Sequence, residues 1–431
     1  MKGVNKGYLG YVSPSYKPTE SDLICSFYFE PGEGIKAEEA AGAIAAESST
    51  GTWTNLTTMS HNKQEKLGAK VFEIDGNYLK IAYPVELFEL GNMPQIFSSI
   101  AGNIFGMKEV THLRLLDIHW PKTLMKSFKG PKFGVSGVRK LLGIKERPIC
   151  GTIIKPKLGL SEKEHAKVAY EAWIGGLDVV KDDENLSSQL FNHFEKRVKE
   201  TLKLRDKAEK ETGEKKMYMA NITSETAEMI KRAKFLKKQG NEYAMVDILT
   251  VGWAGLQTLR NENEDLKLVL HGHRAGHAAL TRNKKHGISM VPIADAARLI
   301  GVDQLHIGTG VGKMEGSAKE VADLTHEIED LIVKPHGHIL AENWGNVKPV
   351  FAVCSGGLYP GTIPKLVDLF GKDIIIQAGG GVHGNPLGTK AGAKSIRQAI
   401  DAVMNGIDLR TYAEKHKELK IAIEKWGVIN V

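Results

Sequence analysis

The run GGLDVVKDDEN ends an apolar stretch on four charged residues, Lys181, Asp182, Asp183 and Glu184. Side chains alternate along a strand, so Lys181 and Asp183 share a face and Asp182 points to the other. Glu184 can turn back once the strand ends. Asp183 and Glu184 then offer hard carboxylate oxygens suited to Mg²⁺. A protonated lysine beside that metal would repel it, and the plain reading pairs Lys181 with the acids as a cation. The other reading removes the charge. A free lysine has a pKa of about 10.4, so deprotonation at about pH 7.5 costs about 4 kcal/mol, which a metal-stabilised anionic modification could offset.

KPKLG puts Lys155 and Lys157 on one face around Pro156, where they could hold phosphate or transfer a proton. HGHRAGH offers His271, His273 and His277 around Arg274. A His-x-His pair on a strand can bind zinc, so a metallohydrolase barrel is a competing reading. There the pair typically opens the barrel, whereas here it falls on the fifth apolar run. Arg274 suits a phosphate or carboxylate by bidentate contact. GTGVGKMEG is not a Walker loop, because Ile307 stands where the first glycine belongs and Met314 follows the lysine. It reads as a lid that brings Lys313 over a substrate. SGG at 355–357 and GGG at 379–381 could bind phosphate through backbone N–H groups. Arg274, His306 and Lys157 could form a second anionic pocket. Two phosphate sites flanking a metal imply a small bisphosphate.

These residues need a scaffold that brings them to one rim. From residue 148 on, eight short apolar runs recur: ICGTIIK, LDVVKDD, MYMANI, AMVDILT, KLVLHGHR, DQLHIGT, VFAVCS and IIIQAGGG. Helix-like stretches such as SEKEHAKVAYEAWIGG separate most of them. Strands alternating with helices imply parallel pairing, and eight units close a (β/α)8 barrel with its active site at the C-terminal strand ends. Residues 22–120 follow another order, β-α-β-β-α-β, which suits a small α+β ferredoxin-like domain turning at Asp75-Gly76-Asn77. Residues 120–147 read as a connection. The expectation is an α/β chain with an N-terminal domain over 1–135 and a catalytic barrel over 136–431.

The totals narrow the class. The net charge of +7 is mild and spread along the chain, which argues against a nucleic-acid partner. Cys25, Cys150 and Cys354 lie far apart with no paired spacing, so reduced, buried thiols are expected. No run of about 18 apolar residues predicts a membrane span, and MKGVNKGYLGYVSPSYKP lacks the apolar core of a signal peptide. A cytoplasmic enzyme is expected.

Taken together, GTIIKPKLGLS, GGLDVVKDDEN, HGHRAGH, HIGTGVGKMEG, SGG and QAGGG resemble, in order, the motifs of the ribulose-1,5-bisphosphate carboxylase/oxygenase large subunit, archaeal form III type. ESSTGTW at 47–53 and GNIFG at 102–106 match the family's N-terminal motifs; without the resemblance ESSTGTW reads as a helix end and turn. The resemblance covers nearly the whole chain. It implies carboxylation and oxygenation of ribulose 1,5-bisphosphate through an enediolate, carboxylation giving two 3-phosphoglycerate, in AMP salvage. CO₂ would carbamylate Lys181, which with Asp183 and Glu184 would hold Mg²⁺. Lys155 and His273 would move protons, and Lys313 would position CO₂. Arg274, His306 and Ser355 would hold one end of the substrate. Thr52, Trp53, Lys157, Gly356, Gly357, Gln377, Gly379 and Gly380 would surround the other end. Glu47, Thr52, Trp53 and Asn103 would come from a neighbouring subunit, making a homodimer the minimal unit, with no small subunit expected. Ile153, Gly276, Ile307 and Met314 depart from many plant and bacterial members, which bears on gas specificity and turnover rather than on reaction class. The alternatives are a carboxylase-like enolase or isomerase acting on a related sugar phosphate, an enolase-type barrel, and a non-catalytic sugar-phosphate binder.

Overall fold

The computed structural model describes residues 7–52, 54, 58, 60–311 and 317–429. The chain forms two compact units. The first comprises Met1–Lys129, Gly276–Ile300 and Asp330–Val347, and the second Gly130–Ala275, Gly301–Glu329 and Lys348–Val431.

In the first unit, β1 (Asp22–Pro31), β2 (Lys70–Asp75), β3 (Tyr78–Pro84) and β4 (Val110–His119) form an antiparallel sheet in the order β4-β1-β3-β2. Helices Ala37–Glu47 and Met93–Ile100 complete the β-α-β-β-α-β order read from the sequence. Alternation does the work in β1, where Leu23, Cys25, Phe27 and Phe29 are all fully buried. The β2–β3 hairpin turns where Gly76 takes φ +56°. A short strand, Gly287–Ile288, adds to β4 in parallel.

The second unit is a closed barrel of eight parallel strands. In chain order they are Ile149–Ile153, Val179–Lys181, Met217–Asn221, Tyr243–Asp247, Val269–His273, Gln304–Gly308, Phe351–Ser355 and Ile374–Gln377. Seven fall within one of the eight apolar runs, and the fourth begins one residue before its run, at Tyr243. The eighth closes on the first through Ile375 opposite Ile149.

The stretch read as a connection contains a helix, Gly134–Leu142. Its Val138 and Leu142 pack into the apolar cluster formed by Ile149, Val179, Met217, Tyr243, Val269, Phe351 and Ile375 from the strands. The carboxylate of Asp303, on the turn before the sixth strand, accepts hydrogen bonds from Phe133 N at 2.6 Å and Gly134 N at 3.0 Å. A boundary between 135 and 136 would therefore cut this helix; the units divide after Lys129 instead. Two later segments join the first unit for physical reasons. One supplies the extra strand, and the other supplies Glu342, whose buried carboxylate accepts from Trp120 N at 2.7 Å. Among the described residues, no helix is long and apolar enough to cross a membrane.

Candidate active site

The second barrel strand ends on Lys181, whose side chain is fully buried. Its Nζ donates to the Asp182 carbonyl at 2.8 Å and lies 3.6 Å from Glu184 Oε2. Burial depresses the Lys181 pKa, against the opposing pull of Glu184 and Asp183. Asp182 does face away, as alternation requires. Its carboxylate meets Arg197 Nη2 at 3.1 Å, the Tyr218 hydroxyl at 2.7 Å, Asn221 N at 3.0 Å and His165 Nε2 at 3.0 Å. Asp182 and Arg197 are both wholly excluded from solvent. This clamp holds the strand end so that Lys181 and Asp183 turn toward the rim.

The first strand supplies two lysines to the same acids. Lys155 Nζ donates to Asp183 Oδ2 at 2.7 Å, and Lys157 Nζ lies 3.7 Å from Glu184 Oε1. Burial alone would raise the Asp183 pKa, but Lys155 and hydrogen bonds from Asn185 hold it below the usual value. Glu184 is likewise held low against burial, by Lys181 and His273. Both carboxylates are thus kept ionised, a state that suits a divalent cation.

The fifth strand ends on His273, whose Nδ1 lies 2.5 Å from Asp247 Oδ1 and whose Nε2 lies 3.7 Å from Glu184 Oε2. Asp247 orients this imidazole and was not singled out from the sequence, because it lies inside the run AMVDILT, although the strand itself ends on it. His271 points elsewhere. Its Nε2 meets His306 Nε2 at 2.8 Å, and His306 Nδ1 meets Ser355 Oγ at 2.7 Å. His277 groups with the first unit, its Nδ1 3.0 Å from Thr281 Oγ1. His271 and His273 both pack against the His306 ring, at 4.8 and 4.6 Å between centroids, while His277 stands apart. Among the described residues, no trio of His, Cys, Asp or Glu is arranged to hold a metal.

Burial lowers the Arg274 pKa to about 10, and among the described residues its guanidinium meets no carboxylate. A Cβ on Gly308, which takes φ +97°, would lie 3.0 Å from Arg274 Nη2, so glycine there leaves the guanidinium its place.

After the seventh strand, Gly356 and Gly357 take φ +116° and +76°, conformations that favour glycine. After the eighth, Gly379 precedes the short helix Gly380–His383, and a Cβ on it would lie 3.3 Å from Lys155 Cε. Gln377 is buried, with Nε2 donating to Met219 Sδ at 3.4 Å and Oε1 lacking a partner among the described residues. His383, also absent from the sequence reading, ties this loop to the first strand through Nε2, 3.1 Å from the Ile153 carbonyl. Glu47 ends the helix Ala37–Glu47, Thr52 follows in irregular chain, and Asn103 opens the 3₁₀ turn Asn103–Gly106; all three belong to the first unit. Trp53 and Lys313 lie outside the described residues.

The chain matches two family models: the ribulose bisphosphate carboxylase large chain catalytic domain over residues 134–426 and its N-terminal domain over residues 10–124. The ribulose bisphosphate carboxylase of Methanosarcina mazei is 52% identical over 421 residues, covering 96% of this chain and 98% of the relative. That of Pyrococcus abyssi is 50% identical over 426 residues, covering 98% and 97%. Among solved structures, the dimeric archaeal Rubisco from Hyperthermus butylicus superposes with a TM-score of 0.93 at 49% identity, covering 98% of this chain and 100% of that one. The octameric enzyme from Pyrococcus horikoshii, in complex with sulfate, gives 0.91 at 48% identity, covering 99% and 98%. With both domains matched and half the residues shared along their whole length, the chain belongs to the ribulose bisphosphate carboxylase large-chain family.

Proposed function

We propose that this enzyme carries out the Mg²⁺-dependent carboxylation, and the competing oxygenation, of ribulose 1,5-bisphosphate, carboxylation yielding two 3-phosphoglycerate. The observation that carries the proposal is Lys181: a fully buried amine with a depressed pKa, between two ionised carboxylates. Carbamylation needs the neutral amine. Its nitrogen lone pair attacks CO₂, one amine proton leaves, and a cation becomes an anion. Burial lowers the cost of exposing that lone pair.

The donor set fits magnesium only after that change. Asp183 and Glu184 supply two hard oxygens, and among the described residues no histidine joins them in a trio arranged to hold a metal. A carbamate on Lys181 supplies the third. Mg²⁺ held by these three residues would stabilise negative charge developing on the sugar oxygens.

The remaining roles belong to the chain's own side chains. The carbamate oxygen of Lys181 would take the C3 proton, giving the enediolate. Lys155 Nζ, 2.7 Å from Asp183, would transfer protons beside the metal ligands. His273 Nε2, backed by Asp247 on Nδ1, would serve in hydration and cleavage. Arg274 is a partly buried cation that meets no carboxylate among the described residues, and a phosphate would neutralise it. Backbone N–H groups at Gly356, Gly357, Gly379 and Gly380 would receive the other phosphate, with Lys157. Lys313 would position CO₂, and Glu47, Thr52, Trp53 and Asn103 would reach the site from a second subunit. The dimeric and octameric relatives support a homo-oligomer. Resemblance to the archaeal type supports a role in AMP salvage.

The test is labelling. Enzyme activated with Mg²⁺ and ¹⁴C-bicarbonate, given ribulose bisphosphate without oxygen, should release labelled 3-phosphoglycerate. Absence of labelled product from activated enzyme would sink the proposal.

A further inference from the structure

A line of polar side chains crosses the barrel interior and surfaces at Ser355. Gln304 Nε2 donates to the Tyr243 hydroxyl at 3.1 Å, and Gln304 Oε1 lies 2.8 Å from His271 Nδ1. His271 Nε2 lies 2.8 Å from His306 Nε2, and His306 Nδ1 lies 2.7 Å from Ser355 Oγ. Tyr243, His271 and Gln304 are fully buried and His306 is 3% exposed. The links from Gln304 through His271 and His306 to Ser355 each join adjacent strands, and Gln304 reaches Tyr243 across the fifth strand.

Such a line has a polarity. With the Gln304 amide placed so that Nε2 faces Tyr243 and Oε1 faces His271, that oxygen can only accept, so His271 Nδ1 carries a proton. Burial, with Lys181 nearby, pushes the His271 imidazolium down to about 3, and burial also holds His306 well below its usual range. Both rings are therefore neutral at working pH, and a neutral imidazole has one N–H. His271 Nε2 must then accept, which puts the His306 proton on Nε2. His306 Nδ1 in turn accepts, and only the Ser355 hydroxyl can donate to it. The serine's proton is committed inward and its lone pairs face the rim.

We propose that Gln304 and His271 are positioning residues that fix the His306 tautomer and so make Ser355 a hydrogen-bond acceptor toward the substrate, selecting a sugar hydroxyl rather than a phosphate oxygen as its partner. The substrate half of this proposal rests on the functional reading above. Phosphate binding then falls to Arg274 and the backbone amides, which can only donate. His306 acts on the substrate through Ser355, since both its ring nitrogens are engaged.

The test has two arms on the intact enzyme. Neutron diffraction from deuterated crystals reads the protons directly: deuterium is expected on His271 Nδ1 and His306 Nε2, and on Ser355 Oγ aimed at His306. Gln304→Met removes the acceptor at nearly constant volume. ¹⁵N NMR of histidine-labelled variant should then show His306 divided between its two tautomers. KM for ribulose bisphosphate should rise roughly tenfold, the worth of one hydrogen bond, with kcat changed less than about threefold. A wild-type His306 bearing its proton on Nδ1 would overturn the proposal, whether or not the variant folds. So would a folded Gln304→Met with unchanged His306 tautomer and KM. The neutron arm reads no turnover, so a wild-type enzyme that makes no 3-phosphoglycerate would strike the functional reading while leaving the tautomer assignment to stand or fall separately.

Discussion

Removing the guanidinium behind the strand end proposed to hold Mg²⁺ is expected to damage both stability and activation. Arg197 and Asp182 are fully buried and meet at 3.1 Å. Arg197→Met keeps much of the side-chain volume but leaves the Asp182 carboxylate without its cation. Breaking a buried pair from one side costs about 3–5 kcal/mol. Asp182 keeps the Tyr218 hydroxyl and Asn221 N, which argues for the lower end. Arg197 also gives up hydrogen bonds to Asn192 Oδ1 and the Ser187 carbonyl, both at 2.9 Å, which argues for the upper end. A loss of about 4 kcal/mol, close to a thousandfold in the folding equilibrium, is the expected outcome. Asp182→Asn should cost a similar amount by stranding Arg197. The double variant carries neither charge, so its loss should fall short of the sum by about 2 kcal/mol or more. Urea unfolding followed by tryptophan fluorescence reads this, since Trp173 is fully buried in the barrel unit. Single losses below about 1 kcal/mol, or strictly additive ones, would refute the clamp.

Three further outcomes follow from the geometry. Arg274→Met should raise KM for ribulose bisphosphate roughly 10- to 100-fold, the worth of a charge-assisted hydrogen bond, in steady-state carboxylation; an unchanged KM would remove Arg274 from the phosphate site. Asp247→Asn deprives His273 Nδ1 of its carboxylate, so kcat should fall about a hundredfold with KM little changed, and a fall below about threefold would separate His273 from proton transfer. At the opposite end of the barrel, Arg147 grips the buried Asp178 through two contacts of 2.6 and 2.7 Å. Burial would raise the Asp178 pKa, but Arg147 holds it below the usual value, so its stabilisation is present above about pH 4 and is lost as pH falls further. Arg147→Met should move the acid-unfolding limb to higher pH by circular dichroism, and an unmoved limb would contradict the assignment.

The sequence carried the barrel well because most strands are short, largely apolar runs that end on polar residues, as strands buried on both faces with a site at their ends must be. It also carried the split between Asp182 and its neighbours, since that depends only on the two-residue period of a strand. What it hid was set by tertiary contact. Gly134–Leu142 contains two glycines and has weak intrinsic helix preference; it forms because Asp303, distant in sequence, meets its first N–H groups and the barrel floor takes its apolar face. Gly287–Ile288 is too short to read as a strand until β4 pairs with it. The line from Tyr243 to Ser355 joins four strands, with one or two members on each, so no local spacing announces it. Asp247 ends a barrel strand, as Lys181 and His273 do, but the apolar Ile248 and Leu249 that follow it hide that end in the sequence.

Activation of the enzyme turns on the chemical state of one amine, that of Lys181. Enzyme equilibrated with ¹³C-bicarbonate and Mg²⁺ and locked with a tight-binding bisphosphate inhibitor can be read by ¹³C NMR. A carbamate carbon resonance should appear in the wild type and be missing from Lys181→Met, together with its Mg²⁺ retention. Catalytically active wild-type enzyme without that resonance, its Lys181 still a free amine, would contradict the account at its centre.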